Sequence, residues 1–189
     1  MRIIAGELKG YTLYIPKDKN TRPLKDRVRE SVFNSLLHSN KLSFKFEQST
    51  ILDLYAGSGS FGLECLSRKA KSVYFVENQK NAIEILLKNI KKLKFKSGIN
   101  IFPQDVFYLI EKKLTSDPKF DLIFCDPPFK DTNISKLIRL IFDKKILQSN
   151  GVIILHRSKN SEEKFPNFFK IIDERFFGIS KITFGRFLS

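Results

Sequence analysis

The feature that most constrains the fold is a strand–loop–helix unit in residues 51–66. Residues 51–55 (Ile-Leu-Asp-Leu-Tyr) are an apolar run typical of a buried strand, and residues 61–66 have the pattern of a helix. Between them, Gly57, Gly59 and Gly62 match G-x-G-x-x-G. Turns use glycine for many reasons, but this motif between a strand and a helix predicts a nucleotide-binding loop in an open α/β sheet.

The alternation of strands and helices continues along the chain. Strands are predicted at residues 72–76, 99–102, 120–124 and 151–155, helices at 79–94, 105–114 and 134–146, and a β-hairpin at 168–184 that turns at Gly178. The helix at 79–94 is amphipathic, with Ile83, Leu86, Leu87 and Ile90 predicted to face inward. This order of elements predicts an α/β fold.

Residues 126–129 (Asp-Pro-Pro-Phe), named the Asp126 corner below, follow the predicted strand at 120–124 and Cys125. Two adjacent prolines fix two φ angles and remove two N–H donors, and the residue before each proline is pushed into extended geometry. The result is a rigid corner rich in acceptors, beside the ring of Phe129. It suits the exocyclic amine of a flat base, held by the Asp126 carboxylate and backbone carbonyls and stacked on the ring. A plain strand-ending Asp-Pro turn is the alternative.

Acidic residues follow two further predicted strands. Glu77 comes about twenty residues after the glycine loop, where an acid can bind both ribose hydroxyls, and Asn78 is its neighbour. Asp105 and Val106 are candidates to hold an adenine amine, although Asp105 could simply cap a helix. The candidate cofactor-binding residues are Asp53, Ala56, Gly57, Gly59, Glu77, Asn78, Asp105 and Val106.

The N-terminal region, residues 1–45, is predicted to be a small basic extension of a larger domain at 46–189. Two short strands at 2–5 and 11–15 precede a helix that starts near Lys25. The face of this helix that packs against the rest of the protein is predicted to contain Val28, Val32, Leu36 and Leu37. Three arginines lie around the N-terminal end of the helix: Arg22, Arg27 and Arg29. Arginine forks at a helix N-terminus predict a phosphate site, and a solvated face with Arg–Glu pairs is the alternative.

Composition narrows the class of partner. The 189 residues carry 34 Lys+Arg against 20 Asp+Glu, a net charge of +14 that indicates a polyanionic partner, unless A/T-rich coding has inflated the lysine content. No apolar run is long enough to span a membrane. Cys65 and Cys125 are expected to be buried, reduced thiols of a cytoplasmic protein. With only His38 and His156 as imidazoles and no ligand spacing, no metal is expected, and His156 is given no role.

These residues resemble a known family. The Asp126 corner resembles the Asp/Asn-Pro-Pro-aromatic motif of amino methyltransferases, and residues 21–34 resemble the Arg-Pro-Thr…Asp-Arg-Val-Arg-Glu signature of RsmD-type methyltransferases, with Leu24 in place of the threonine. The family commonly has a glutamate where this chain has His156. The resemblance implies a Rossmann-like class I fold with S-adenosylmethionine (SAM) as cofactor. It also implies a seven-stranded, mostly parallel sheet made of five strand–helix units and a C-terminal hairpin with a reversed last strand.

The resemblance further implies methyl transfer to guanine N2 in small-subunit (16S) ribosomal RNA. The expected partner is that RNA or an assembling small subunit, the enzyme is expected to be a monomer, and the catalytic set is Asp126, Pro127, Pro128 and Phe129. Three alternatives remain: a DNA methyltransferase for adenine N6 or cytosine N4, an NAD-dependent oxidoreductase, and a non-catalytic RNA-binding protein.

Overall fold

The computed structural model describes residues 1–16, 26–115 and 117–188. In chain order the helices and strands are α1 (Asp26–His38), β1 (Thr50–Leu54), α2 (Ser60–Ser67), β2 (Ser72–Val76), α3 (Lys80–Leu93), β3 (Ile99–Phe102), α4 (Val106–Lys112), β4 (Phe120–Cys125), α5 (Ile134–Asp143), β5 (Leu147–Ser158), β6 (Phe169–Phe177) and β7 (Ser180–Phe187).

The strands form one seven-stranded sheet in the order β3-β2-β1-β4-β5-β7-β6. Strands β1 to β5 are parallel, whereas β7 runs antiparallel to both β5 and β6. The seven-stranded α/β sheet with a reversed last strand is therefore confirmed. The fifth predicted strand–helix unit lacks its helix, because residues 159–168, which follow β5 and are all described, contain none. The five parallel strands are therefore joined by four crossover helices, α2 to α5.

Two hydrophobic cores cover the two faces of the sheet. One packs α1, α2 and α3 against side chains such as Ile51 and Phe75, and it also takes in Ile3 and Leu13 from the N-terminal segment. The other packs α4 and α5 against side chains such as Leu52 and Ile123. Alternate residues of each central strand thus serve opposite cores, as the period of two in a strand requires.

The N-terminal segment does not form the two predicted strands. Within residues 1–16 a single isolated bridge pairs Arg2 with Thr12. The backbone N–H groups of Ile4 and Ala5 donate instead to the carboxylate of Glu64, at 2.7 and 2.9 Å, so their hydrogen bonds go to helix α2 rather than to a strand. Gly6 has a φ of +83°, and a Cβ there would lie 1.9 Å from the carbonyl oxygen of Ser67. The segment is therefore fitted closely to α2.

Two predicted helix faces were partly wrong. In α1, Leu37 is exposed and Phe33 is buried in its place. In α3, Leu87 is exposed, whereas Asn89 is fully buried and hydrogen-bonds to the backbone of Tyr14 and Ser58. In each helix a polar side chain, Arg29 in α1 and Asn89 in α3, is buried. The buried face of each helix therefore differs from the face that the apolar residues alone predict.

Candidate active site

The site lies where the order of the parallel strands reverses. Strand β1 pairs with β2 on one side and with β4 on the other, so the loops after β1 and β4 leave the sheet in a crevice at its carboxyl edge. The glycine turn, residues 56–60, follows β1, and the Asp126 corner follows β4. The fold therefore brings these two predicted elements to the same edge.

The glycine turn is held by its own backbone and by the neighbouring strand. The N–H of Gly59 donates to the Ala56 carbonyl at 2.8 Å, and the N–H of Ala56 donates to Val76 at 3.0 Å. Gly57 and Gly59 have φ angles of +56° and +79°, a region that side chains disfavour. A Cβ on Gly57 would meet nothing within 4 Å, so the backbone of the turn borders open space.

Two buried carboxylates support this turn. Asp53, near the end of β1, accepts from the N–H of Gly62 at 3.0 Å. Burial raises the pKa of Asp53 to about 8, helped by the negative charges of Asp126 and Glu77 and opposed by the Gly62 hydrogen bond. The N–H of Asp126 donates to the Leu54 carbonyl at 3.3 Å, so the Asp126 corner begins beside the end of β1 that carries the glycine turn.

Glu77, at the end of β2, reaches back to the glycine turn. Its Oε2 accepts from the N–H of Gly57 at 2.8 Å, while Oε1 accepts from the N–H groups of Asn78 and Gln79 at 2.9 and 2.8 Å. Glu77 is buried, whereas Asn78 is exposed. The carboxylate thus links the turn after β1 to the start of α3.

Asp105 and Val106 follow β3 at the next position along the edge. Asp105 is exposed and caps α4, since its carboxylate accepts from the N–H of Tyr108 at 3.0 Å. The Val106 side chain is buried in the core below α4. Helix capping, the alternative weighed for Asp105, is therefore present, and the side chain of Val106 is committed to packing.

Asp126 contacts His156, a residue to which the sequence analysis gave no role. Nδ1 of His156, on β5, lies 2.7 Å from Oδ1 of Asp126, and Nε2 lies 2.9 Å from Oγ of Ser180. The ring of Phe129 meets the His156 ring edge-on, with centroids 5.3 Å apart. His156 therefore contacts both the carboxylate and the aromatic ring of the corner. Both of its nitrogens are hydrogen-bonded, as expected for a satisfied strand-end histidine.

The backbone of the same loop is held by Arg157, which sequence reasoning missed. Its guanidinium is buried and donates to the carbonyls of Pro128, at 3.0 Å, Phe129, at 3.4 Å, and Asp131. Its Nε donates to Glu163 at 2.7 Å. A lone arginine in a strand gives little signal in a sequence, because its three carbonyl partners come from a loop that precedes it by 26 to 29 positions.

Comparisons with known proteins show which family the chain belongs to. The family model described as Conserved hypothetical protein 95 matches residues 1–186. The chain is 34% identical over 180 residues to Ribosomal RNA small subunit methyltransferase D of Haemophilus influenzae, covering 95% of this chain and 90% of the relative. It is 31% identical to the Escherichia coli protein of the same name, covering 81% and 72%. The chain belongs to the RsmD family of class I SAM-dependent methyltransferases.

A solved relative agrees with the whole fold of this RsmD-family chain. The structure of yhhF from Escherichia coli superposes with a TM-score of 0.83 at 28% identity, over 99% of this chain and 97% of that one. The superposition therefore includes the N-terminal segment and the C-terminal hairpin as well as the central sheet.

The arginines of the RsmD-type signature do not share one environment. Arg29 is fully buried, and its guanidinium donates to the carbonyl of Arg2 and to Asp26 at 3.0 Å. Burial lowers the pKa of Arg29, opposed by the charge of Asp26. The expectation that Arg29 contacts RNA phosphates is therefore wrong, since this side chain ties α1 to the N-terminal segment. Arg27 is exposed, and Arg22 lies outside the described residues.

Cys125 lies directly before the Asp126 corner, so its reactivity bears on the chemistry of the site. Cys65 and Cys125 are both unpaired and buried, and burial raises the pKa of each thiol. Cys125 therefore stays protonated beside the Asp126 corner and is a poor nucleophile. The described ranges contain no cluster of three or more His, Cys, Asp or Glu suited to a metal ion, and no helix there is long and apolar enough to cross a membrane.

Two surface clefts of about 520 and 490 Å³ lie elsewhere on the molecule. Their lining includes Phe46, Gln48 and Asp121, residues at or before the amino ends of β1 and β4, and none of the site residues described above. Because open α/β sheets bind ligands at the carboxyl edge, we assign the site to the crevice and not to these clefts.

Proposed function

We propose that this chain transfers a methyl group from SAM to the exocyclic N2 of a guanine in small-subunit (16S) ribosomal RNA. The observation that carries the proposal is that the glycine turn and the Asp126 corner follow the adjacent strands β1 and β4 at the same edge of the sheet, where the N–H of Asp126 donates to the Leu54 carbonyl. Relatives named small subunit methyltransferases support the choice of RNA.

The residues after β1 and β2 fit SAM. The open space beside Gly57 leaves room for the amino-acid part of the cofactor along the backbone, and Glu77 has a carboxylate at the position where acids bind ribose hydroxyls. We assign Asp53, Ala56 and Gly59 to shaping this surface, and Asn78 and the Asp105–Val106 backbone to the edge of the nucleoside pocket. SAM supplies a methyl group on a positively charged sulfonium, which a neutral nucleophile can attack.

The Asp126 corner supplies the other reactant. The lone pair of an aryl amine is delocalised into the ring, so the amine is a weak nucleophile until its protons are accepted. We assign this acceptance to the Asp126 carboxylate and the Pro127 carbonyl, with Pro128 fixing the corner and Phe129 stacking the base. As the N–C bond forms and the C–S bond breaks, the nitrogen gains positive charge, and Asp126 takes one of its two protons. Positioning both reactants can supply roughly 7–11 kcal/mol of the barrier.

RNA binding is assigned to the N-terminal region, residues 1–45, and to the overall charge of +14. Arg27 is exposed at the start of α1. Tyr14 is about half exposed, its ring lies 4.8 Å from the ammonium of Lys92, and its backbone is joined through Asn89 to Ser58 of the glycine turn. An exposed aromatic ring with a lysine beside it suits an unpaired nucleotide near the crevice.

The test is to incubate the protein with labelled SAM and one of three substrates: undermethylated small subunits, protein-free 16S RNA or genomic DNA. Digestion and separation of the nucleosides should show label in N2-methylguanosine from an RNA substrate, and comparing the first two substrates shows whether an assembled particle is needed. Label in N6-methyladenine or N4-methylcytosine from DNA would refute the proposal in favour of a DNA amino methyltransferase. The Asp126→Ala variant is the control for background transfer.

A further inference from the structure

The loop that carries Phe129 is fixed from one side by a single guanidinium. Arg157 donates to the carbonyl oxygens of Pro128, Phe129 and Asp131, all downstream of Asp126. Upstream, the N–H of Asp126 donates to Leu54 at 3.3 Å. The loop is thus tied to β1 where it begins and to β5 where it turns, with two rigid prolines in between.

The positive charge of Arg157 is paired with a carboxylate inside the protein. Arg157 is 3% exposed, and its Nε donates to Glu163. The other oxygen of Glu163 accepts from Nζ of Lys181 at 3.0 Å, and Lys181 also donates to the Ser161 carbonyl at 2.8 Å. Although burial acts to raise the pKa of Glu163, the hydrogen bonds from Arg157, Ser161 and Lys181 outweigh it and lower that pKa. Glu163 is therefore ionised and holds the guanidinium in place.

An arginine is chemically suited to this position. Its planar group carries five N–H donors in a fixed fork, so it can bind a carboxylate on one edge and several carbonyls on the other. A lysine has one flexible ammonium and cannot hold three carbonyls and a carboxylate in the same geometry. None of the atoms that Arg157 contacts belongs to the glycine turn or to Glu77, so its effect should be confined to the half of the site assigned to the base.

We propose that Arg157, held by Glu163 and Lys181, is a positioning residue that presets the Phe129 ring and the Asp126 corner to receive the target base. This inference rests on the proposed function for the identity of the base. The ordering of the loop itself does not depend on that identity and can be measured without any substrate.

The substrate-independent test uses the absence of tryptophan from the sequence. Phe129→Trp places a single tryptophan in the loop, which can be excited selectively over the five tyrosines, and the same change is made together with Arg157→Lys. We expect lower anisotropy and stronger acrylamide quenching in the double variant, at unchanged affinity for S-adenosylhomocysteine. Arg175→Lys, at a half-exposed arginine that pairs with Asp173 on its own strand, is the matched control and should leave fluorescence unchanged. Equal anisotropy and quenching with and without Arg157→Lys would overturn the proposal.

The second arm measures single-turnover methyl transfer with Arg157→Lys alone. Because a misplacement of about 1 Å can cost about 10²-fold in rate, we expect a loss of that order with cofactor affinity retained.

If Arg157→Lys does not fold, the double variant Arg157→Gln/Glu163→Gln removes both charges together. It should show the same loss of rate with cofactor affinity retained. A parallel loss of cofactor affinity and folding in both variants would mean that the network only stabilises the fold, which also overturns the proposal. Should the parent protein methylate no RNA, the fluorescence arm still decides whether Arg157 orders the loop, while the proposed function alone fails.

Discussion

The two halves of the crevice are built with opposite hydrogen-bond chemistry. In the half that we assign to the cofactor (the cofactor half), carboxyl groups accept from backbone N–H groups: Asp53 from Gly62 and Glu77 from Gly57. In the half that we assign to the base (the base half), cationic or imidazole side chains contact oxygens: His156 contacts the Asp126 carboxylate and Arg157 contacts the carbonyls beyond it. The first half leaves its turn facing open space, whereas the second holds an acidic corner whose remaining oxygens can accept protons. Substitutions in one half should therefore lower the rate of methyl transfer, whereas substitutions in the other should lower the affinity for the cofactor.

The largest effect is expected from the base half. Asp126→Ala should lower the methyl-transfer rate by about 10²–10⁴-fold, the usual contribution of a positioned proton acceptor. Affinity for S-adenosylhomocysteine, measured by calorimetry, should remain that of the parent protein, because Asp126 is assigned to the amine. Asp126→Asn keeps one acceptor oxygen and should retain more activity than the alanine variant. Loss of cofactor affinity in step with the rate would place Asp126 in the cofactor half instead.

The complementary change is Glu77→Ala in the cofactor half. Removing a charged hydrogen-bond partner should weaken cofactor binding by roughly 1.5–3 kcal/mol, while turnover at saturating SAM is largely retained. The variant also removes the contact to Gly57, so its melting temperature must be followed. Glu84→Ala, at an exposed glutamate on α3, is the matched control. An unchanged dissociation constant would show that Glu77 only supports the turn.

The contacts of one half could be predicted from the sequence better than those of the other, because the residues that make them are closer together along the chain. The glycine turn and Glu77 were recognised because their contacts span 9 and 20 positions, within one or two neighbouring elements. The contacts of His156 and Arg157 with Asp126 and the loop after it span 26 to 30 positions and exist only once β4 and β5 pair. No local pattern marks a histidine or an arginine for such a contact.

The same reasoning explains the helices. Arg29 was predicted to contact phosphate and Asn89 was not among the inward-facing residues, yet each is fully buried where the N-terminal segment offers backbone partners. The apolar pattern gave the existence of α1 and α3 correctly but misplaced Leu37 and Leu87, because hydrophobic periodicity carries no information about a buried polar contact to a distant segment.

A smaller effect is expected at Phe129. Phe129→Ala should weaken substrate binding by roughly 1–3 kcal/mol through lost base stacking, seen as a higher KM for RNA. Phe129→Tyr and Phe129→Trp keep an aromatic face and should be tolerated far better. The edge-on contact with His156 is also lost in the alanine variant, so cofactor affinity is the internal reference. Equal damage from all three changes would indicate that the ring serves packing and not stacking.

The smallest effect separates Arg22 and Arg27 from the buried Arg29. Neutralising Arg22 and Arg27 to glutamine should leave the rate on bound RNA unchanged but flatten the dependence of log Kd on log salt by about 0.7–0.9 for each lost phosphate contact. Arg29→Gln should instead lower the melting temperature, because a buried guanidinium that joins α1 to the Arg2 carbonyl is lost. Salt titrations of RNA binding, with thermal melts of both variants, distinguish the two outcomes. An unaltered slope in the double variant would show that neither Arg22 nor Arg27 contacts a phosphate, and RNA affinity would then have to come from other basic groups, such as Lys92 beside Tyr14.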